Sequence, residues 1–194
     1  MYPILFKAFG ISFYSYAIFL GLALGVGAEL TISLFKGHTD FSVTKVRMIL
    51  FGLILSAWIG AKVFFVIFTA EIEEIVLRER SFWLGGGLVF YGAIISVIAT
   101  LIMMVKVFKI IKLKDCGLLV PGILFGHAIG RVGCFFAGCC YGHSKYILFF
   151  KSHPVQLYES GILFILGLVF LKKIKDMDRV ENIFFQYLAS YSVI

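Results

Sequence analysis

The sequence predicts an all-α integral membrane protein, and three observations carry that expectation. Hydrophobic residues make up 61% of the 194, and mean hydropathy is +1.00; soluble domains hold about 45–50% apolar residues. Charged residues are only 15%, too few to cover a soluble surface. Long apolar runs recur, and at about 20 residues per crossing the chain has room for about five to six transmembrane helices with short connections. No linker, low-complexity tract or repeat divides the chain, so residues 1–194 are expected to form a single transmembrane domain. A net charge of +7 would suggest nucleic acid in a soluble protein. Here the basic residues sit between apolar runs without a basic–aromatic array, so no nucleic-acid partner is expected.

The first span is expected over residues 12–35. The residues before it lack a basic n-region, so the run reads as a retained helix and not as a signal peptide. Gly21, Gly25 and Gly27 give it a small-residue face for close helix approach. Tyr14 and Tyr16 stand near its start, where an aromatic belt would place them. Glu29 reads as a carboxylate that reaches the interface near the helix end. Residues 36–47 form a polar connection, and the second span covers 46–68, with Gly60 and Lys62 inside it. Lys62 either snorkels or pairs with a headgroup or an acidic side chain.

Residues 71–80 carry Glu71, Glu73, Glu74, Arg78, Glu79 and Arg80, a composition that suits a short interfacial helix. Gly85, Gly86 and Gly87 then permit an irregular backbone where the chain re-enters the membrane. The third span is expected over 88–107. The fourth begins near Cys116, with Pro121 near its start, and runs into residues 126–142. The fifth covers 155–171. Residues 182–194 form an apolar run short of a full crossing.

Basic residues orient these spans. With an extracytoplasmic N-terminus, the inner connections hold Lys36, Lys45 and Arg47, the lysines of 106–114, and the basic cluster of 172–179. The outer segments hold only Lys7, Arg78, Arg80, Lys145 and Lys151. The excess of positive charge inside favours this orientation. It brings segments 85–92 and 139–154 to one membrane face.

Residues 126–142 carry the densest chemistry. Arg131 sits in an apolar setting, where a guanidinium needs a partner or a task. It is always charged and offers a planar fork of donors suited to phosphate, here that of a membrane lipid; the alternative is an interfacial arginine tied to helix-end carbonyls. Cys134, Cys139 and Cys140 lie near His127, His143 and His153. Their spacing is not a paired Cys-x-x-Cys arrangement, so no metal and no cofactor are expected. A disulfide is open to them in an oxidising compartment. Free thiols packed as small hydrophobes are the commoner state. Tyr91 is either an interfacial anchor or a hydroxyl beside a reacting group. Gln156 and Glu159 fall at i and i+3, on one helix face. They either cap the fifth span or orient a polar substrate.

Taken together, these segments resemble a known family. Gly130-Arg-Val-Gly-Cys-Phe-Phe-Ala-Gly-Cys-Cys-Tyr-Gly142 resembles the signature of bacterial prolipoprotein diacylglyceryl transferases. Tyr14-Ser-Tyr-Ala17, Gly86-Gly-Leu-Val-Phe-Tyr-Gly92 and His153-Pro-Val-Gln-Leu-Tyr-Glu159 resemble three further family segments, in the same order. The family pattern has histidine at the Tyr91 position, asparagine at Cys134 and glutamate at Cys139. The resemblance implies a transferase in the bacterial cytoplasmic membrane. It would move the diacylglyceryl group of phosphatidylglycerol to the lipobox cysteine in the signal peptide of a prolipoprotein, giving a thioether and glycerol phosphate.

Arg131 would then bind the lipid phosphate, and Tyr91 or His153 would assist deprotonation of the thiol. A phenol is a weaker base than imidazole at neutral pH. Tyr16, Gly133, Gly142, Gln156, Tyr158 and Glu159 would line or support the substrate site. The family continues past residues 190–194 into an arginine-bearing tail, so this sequence is expected to end before it, with Lys62 and His153 as the basic groups available in its place. A non-catalytic or weakly active lipid-binding protein on the same scaffold is the alternative reading, and a thiol-redox or metal protein is a third.

Overall fold

The computed structural model describes residues 4–8, 11–68, 89–140, 153–175 and 180–191. Its elements are β1 (Ile4–Ala8), β2 (Ile11–Tyr14), α1 (Ser15–His38), α2 (Val43–Phe68) and α3 (Phe90–Lys106). A 3-10 segment (Leu113–Leu119) leads into α4 (Val120–Ala137), followed by α5 (Val155–Lys175) and α6 (Val180–Tyr191). Four of the described helical stretches are long and apolar enough to cross a membrane: α1, α2, the joined segment Leu113–Ala137, and α5. α3 is apolar but shorter. The protein is an all-α polytopic membrane protein, as the composition required.

Boundaries depart from expectation at the N-terminus. Residues 11–14 are not the first turn of a helix but pair antiparallel with β1, with Phe6 opposite Phe13 and Lys7 opposite Ser12. The Phe6 and Phe13 rings stack at 4.6 Å. A hydropathy window cannot separate these four residues from the helix behind them, because an apolar strand and an apolar helix carry the same average. The polar connection after α1 is also shorter than expected, since α1 continues to His38 and α2 begins at Val43. Thr39 closes α1, with its backbone N–H and its hydroxyl both donating to the Phe35 carbonyl, at 2.9 and 2.8 Å.

The chain divides into two compact units, residues 1–40 with 113–194 and residues 41–112. In the second unit α2 packs on α3. Their backbones meet at Gly60 and Gly92: a methyl group on either would lie 2.5 Å from the carbonyl oxygen of the other. Without a hydrophobic drive between helices in lipid, such close approach of small residues is what holds them together. The Val89 N–H donates to the Ala61 carbonyl at 3.3 Å, joining the start of α3 to α2. Lys62 is 4% exposed. The expected interfacial helix at 71–80 and the triple glycine at 85–87 lie outside the described residues.

In the first unit α4 is central. It packs on α1 and on α5, while α6 packs mainly on the 3-10 segment. The α1 contact is a glycine seam. A methyl group on Gly27 would lie 2.8 Å from the Gly122 carbonyl oxygen, and one on Gly126 would lie 2.9 Å from that of Ala23. Thr31 turns its hydroxyl back to the Gly27 carbonyl at 2.8 Å, so its polar atom is satisfied inside its own helix. Gly21 and Gly25 do not join this seam: no atom of the described residues lies within 4 Å of where their side chains would begin. Among the described residues, Gly27 alone of the three permits close approach. Glu29 is exposed, and it sits inside α1 and not at its end.

Candidate active site at the α4–α5 seam

Pro121 starts α4, where its missing N–H costs nothing. The helix stops at Gly138, whose φ of 79° lies in the left-handed region. The Gly138 N–H donates to the Cys134 carbonyl at 3.0 Å, and the Cys139 N–H to the same carbonyl at 3.1 Å. This pattern satisfies the last carbonyls of the helix and reverses the chain. The signature stretch is thus a helix for most of its length and a tight turn at its end. α5 begins after Pro154, whose carbonyl accepts the N–H groups of Leu157 at 3.0 Å and Tyr158 at 3.4 Å.

Three side chains of α5 reach towards α4 and its terminal turn. Glu159 Oε2 lies 2.7 Å from Arg131 Nε, with both side chains about one-quarter to one-fifth exposed (24% and 21% for Arg131 and Glu159). The Nε–H does not aim at that oxygen, so the contact is an ion pair without an aligned hydrogen bond. Ser160 donates to the Ala128 carbonyl at 2.9 Å, one turn further along α4. Gln156 is wholly buried, and its Nε2 donates to the Cys139 carbonyl at 2.5 Å. Beyond this polar end the seam becomes apolar, with Gly167 receiving the Phe125 ring.

Among the described residues, three buried side-chain polar atoms lack a hydrogen-bond partner: Arg131 Nε, Gln156 Oε1 and Glu159 Oε2. All belong to this one cluster. Two of these, Arg131 Nε and Glu159 Oε2, are each other's ion-pair partners at 2.7 Å, so Gln156 Oε1 alone of the three is without a partner of either kind, which for a buried polar atom costs about 1–3 kcal/mol. A polar cluster of this kind between two membrane helices is the arrangement expected of a site that binds a polar ligand group. Sequence spacing had put Gln156 and Glu159 on one face, and α4 is what that face meets.

The other expected site residues do not all belong to this cluster. Tyr16, near the start of α1, is within electrostatic reach of Arg131 and of the thiols of Cys134, Cys139 and Cys140. Gly133 is buried and admits Phe19 of α1: a methyl group there would lie 2.6 Å from Phe19 Cβ. Phe19 in turn stacks on Phe136 at 5.2 Å. His153 and Tyr158 stand together, ring centroids 6.3 Å apart, and Tyr158 is 52% exposed. Tyr91 is 74% exposed on the first turn of α3, in the other unit. Gly142 lies outside the described residues.

The sequence reading does not select Ser160, and it notes His127 only as a neighbour of the cysteines. Ser160 shares the face of Gln156 at i+4, a signal that was available. His127 lies one turn before Arg131 and feels its charge. None of the four cysteines is in a disulfide. Beyond the end of α4, the Cys139 thiol is pushed above its ordinary range, first by partial burial and then by neighbouring Cys140.

Helices long and apolar enough to cross a membrane, with a partly buried arginine–carboxylate pair between two of them, define an integral membrane protein with a polar cluster among its spans. Residues 3–194 match the family described as prolipoprotein diacylglyceryl transferase, and the chain belongs to that family. It is 29% identical to the phosphatidylglycerol–prolipoprotein diacylglyceryl transferase of Clostridium tetani, over all of this chain and 82% of that protein. The enzyme of the same name from Clostridium kluyveri is 33% identical, again over all of this chain and 82% of its own length. That of Finegoldia magna is 29% identical over 97% of this chain and 79% of its own.

Proposed function

We propose that this protein transfers the diacylglyceryl group of phosphatidylglycerol to the lipobox cysteine in the signal peptide of a prolipoprotein, at the outer face of the bacterial cytoplasmic membrane. The single observation that carries the site assignment is the partly buried Arg131–Glu159 pair of the α4–α5 seam. In the reaction the cysteine sulfur attacks the glyceryl carbon, a carbon–sulfur bond forms, and the carbon–oxygen bond to phosphate breaks. The electron pair leaves with glycerol phosphate, and the thiol proton passes to a base.

Negative charge grows on the phosphate as it leaves. A fixed guanidinium in a site of low dielectric stabilises that charge without reorganising. Glu159 engages the Nε edge of Arg131, which leaves the terminal amino groups as the phosphate-facing part of the fork. Gln156 and Tyr16 are assigned to support the headgroup, Tyr158 to line the approach, and Gly133 and Gly142 to permit close packing around it. His153 or Tyr91 accepts the thiol proton. The N-terminus is assigned to the outer side on the distribution of basic residues.

The test uses the purified full chain in vesicles of phosphatidylglycerol with a lipobox peptide, and reads the thioether product by mass. Turnover by the unaltered protein, with Arg131→Ala losing about 10²–10³-fold, is the expected result. Phosphatidylglycerol binding without any thioether would place the protein with non-catalytic lipid binders on this scaffold. Equal activity of Arg131→Ala would remove the role given to the arginine.

A further inference from the structure

The thiols at the end of α4 have no part in the transfer just described. Cys134 lies on the last turn of the helix, and Cys139 and Cys140 follow the Gly138 turn. Their three Sγ atoms all lie within 4.8 Å of one another. None is in a disulfide, and the Cys139 and Cys140 side chains reach the surface. The spacing in sequence is unlike the usual paired motif, yet the left-handed turn brings the adjacent pair back onto the helix end. Cys139 Sγ is also 3.6 Å from the Cys134 carbonyl oxygen.

Two further features hold this turn in shape. Cys140 adopts a φ of 62°, a conformation that costs a non-glycine residue about 1 kcal/mol or more and persists only when its surroundings impose it. The Cys139 carbonyl is gripped from α5 by the wholly buried Gln156. The cluster is therefore anchored from α4 and α5 together, and it opens just beyond the membrane-spanning segment Leu113–Ala137.

We propose that Cys134, Cys139 and Cys140 form a three-thiolate site for a soft d10 metal cation. Metal–sulfur bonds of about 2.3 Å need sulfur atoms about 3.8–4 Å apart, so the observed cluster closes onto a cation by small side-chain rotations. Thiolate donors in this number select cations such as copper(I), zinc and cadmium over magnesium or calcium. Binding a divalent cation exchanges the thiol protons for the metal and leaves a complex of net charge −1, beside the guanidinium of Arg131. The bound cation would also pin the turn that supplies the acceptor for Gln156.

The test is a titration of the full chain, reduced and in detergent under argon, with cadmium alone. The thiolate-to-cadmium charge-transfer band should rise to saturation at one equivalent, with protons released into a weakly buffered solution. Cys139→Ser and Cys140→Ser should each remove about a third of the band and weaken binding by about tenfold or more, since even loss of a residue behind the ligands costs 10–100-fold. Cys116→Ala, at a buried cysteine outside the cluster, should leave the titration unchanged. If Cys134→Ser fails to fold, the two surface variants still decide the matter. A band that does not saturate, or one equal in the Cys139 and Cys140 variants, would overturn the proposal. So would non-reducing mass analysis showing that the isolated protein joins Cys134 to Cys139 or Cys140 as a disulfide.

Discussion

α4 presents two different faces to its two neighbours. Towards α1 it shows Gly122, Gly126 and Gly133, and the helices approach until backbone carbonyls sit where side chains would begin. Towards α5, roughly a third of a turn away around the helix, it shows Phe125, Ala128 and Arg131, and the contacts pass from apolar to charged along the seam. The first seam has no ionisable group in the contacts that define it and works by closeness. The second keeps an ion pair and one further unsatisfied polar atom, Gln156 Oε1. A membrane helix can thus separate holding from reacting by rotation alone, and the glycine seam fixes the rotation at which Arg131 meets Glu159.

Substitutions on the two faces should fail in different ways. Arg131→Ala should give the largest effect on transfer, about 2.7–4 kcal/mol in the barrier, with little change in thermal unfolding of the detergent-solubilised protein. Gly122→Leu should do the reverse. Its side chain would collide with Thr31 and with the Gly27 carbonyl, the latter 2.5 Å from the new Cβ. Overpacking of this kind costs about 1–3 kcal/mol, so the melting temperature should fall, and activity should fall only as far as folded protein is lost. If Gly122→Leu instead lowered turnover in fully folded protein, the division of labour between the faces would be wrong.

Glu159→Gln keeps the shape of the α5 face and removes its charge. The guanidinium then loses the anion that positions it, and misplacement of such a group costs up to about a hundredfold, so single-turnover rates should fall while phosphatidylglycerol still binds. Ser160→Ala removes one hydrogen bond of the same seam, and about 0.5–1.5 kcal/mol of stability should go with it by chemical denaturation. Gly25→Leu should matter least, within about 0.5 kcal/mol, because no atom of the described residues lies within 4 Å of that position. Comparing it with Gly122→Leu shows directly which glycines form the seam.

Much of this was legible along the chain. Spans were readable because crossing a bilayer takes a fixed length of apolar helix, a property of consecutive residues. Arg131 stood out for the same reason: a guanidinium is conspicuous wherever the surrounding residues suit lipid. Gln156 and Glu159 were placed on one face because helical periodicity is local. The β1–β2 hairpin was not legible, since Phe6 and Phe13 become partners only when the chain folds back on itself. Nor was the distinction between Gly25 and Gly27, which depends on where α4 lies.

The sequence by itself determined an all-α membrane protein, its main helices, the family to which it belongs and the stretch where Arg131 and three cysteines fall. Only the tertiary structure decided that Arg131 faces Glu159, that Gln156 holds the Cys139 carbonyl, and that the Cys134 thiol shares one small volume with those of Cys139 and Cys140. The reason is physical. Hydropathy and helical period are set by neighbours in sequence, whereas the rotation of one helix against another is set by which small residues let two backbones touch.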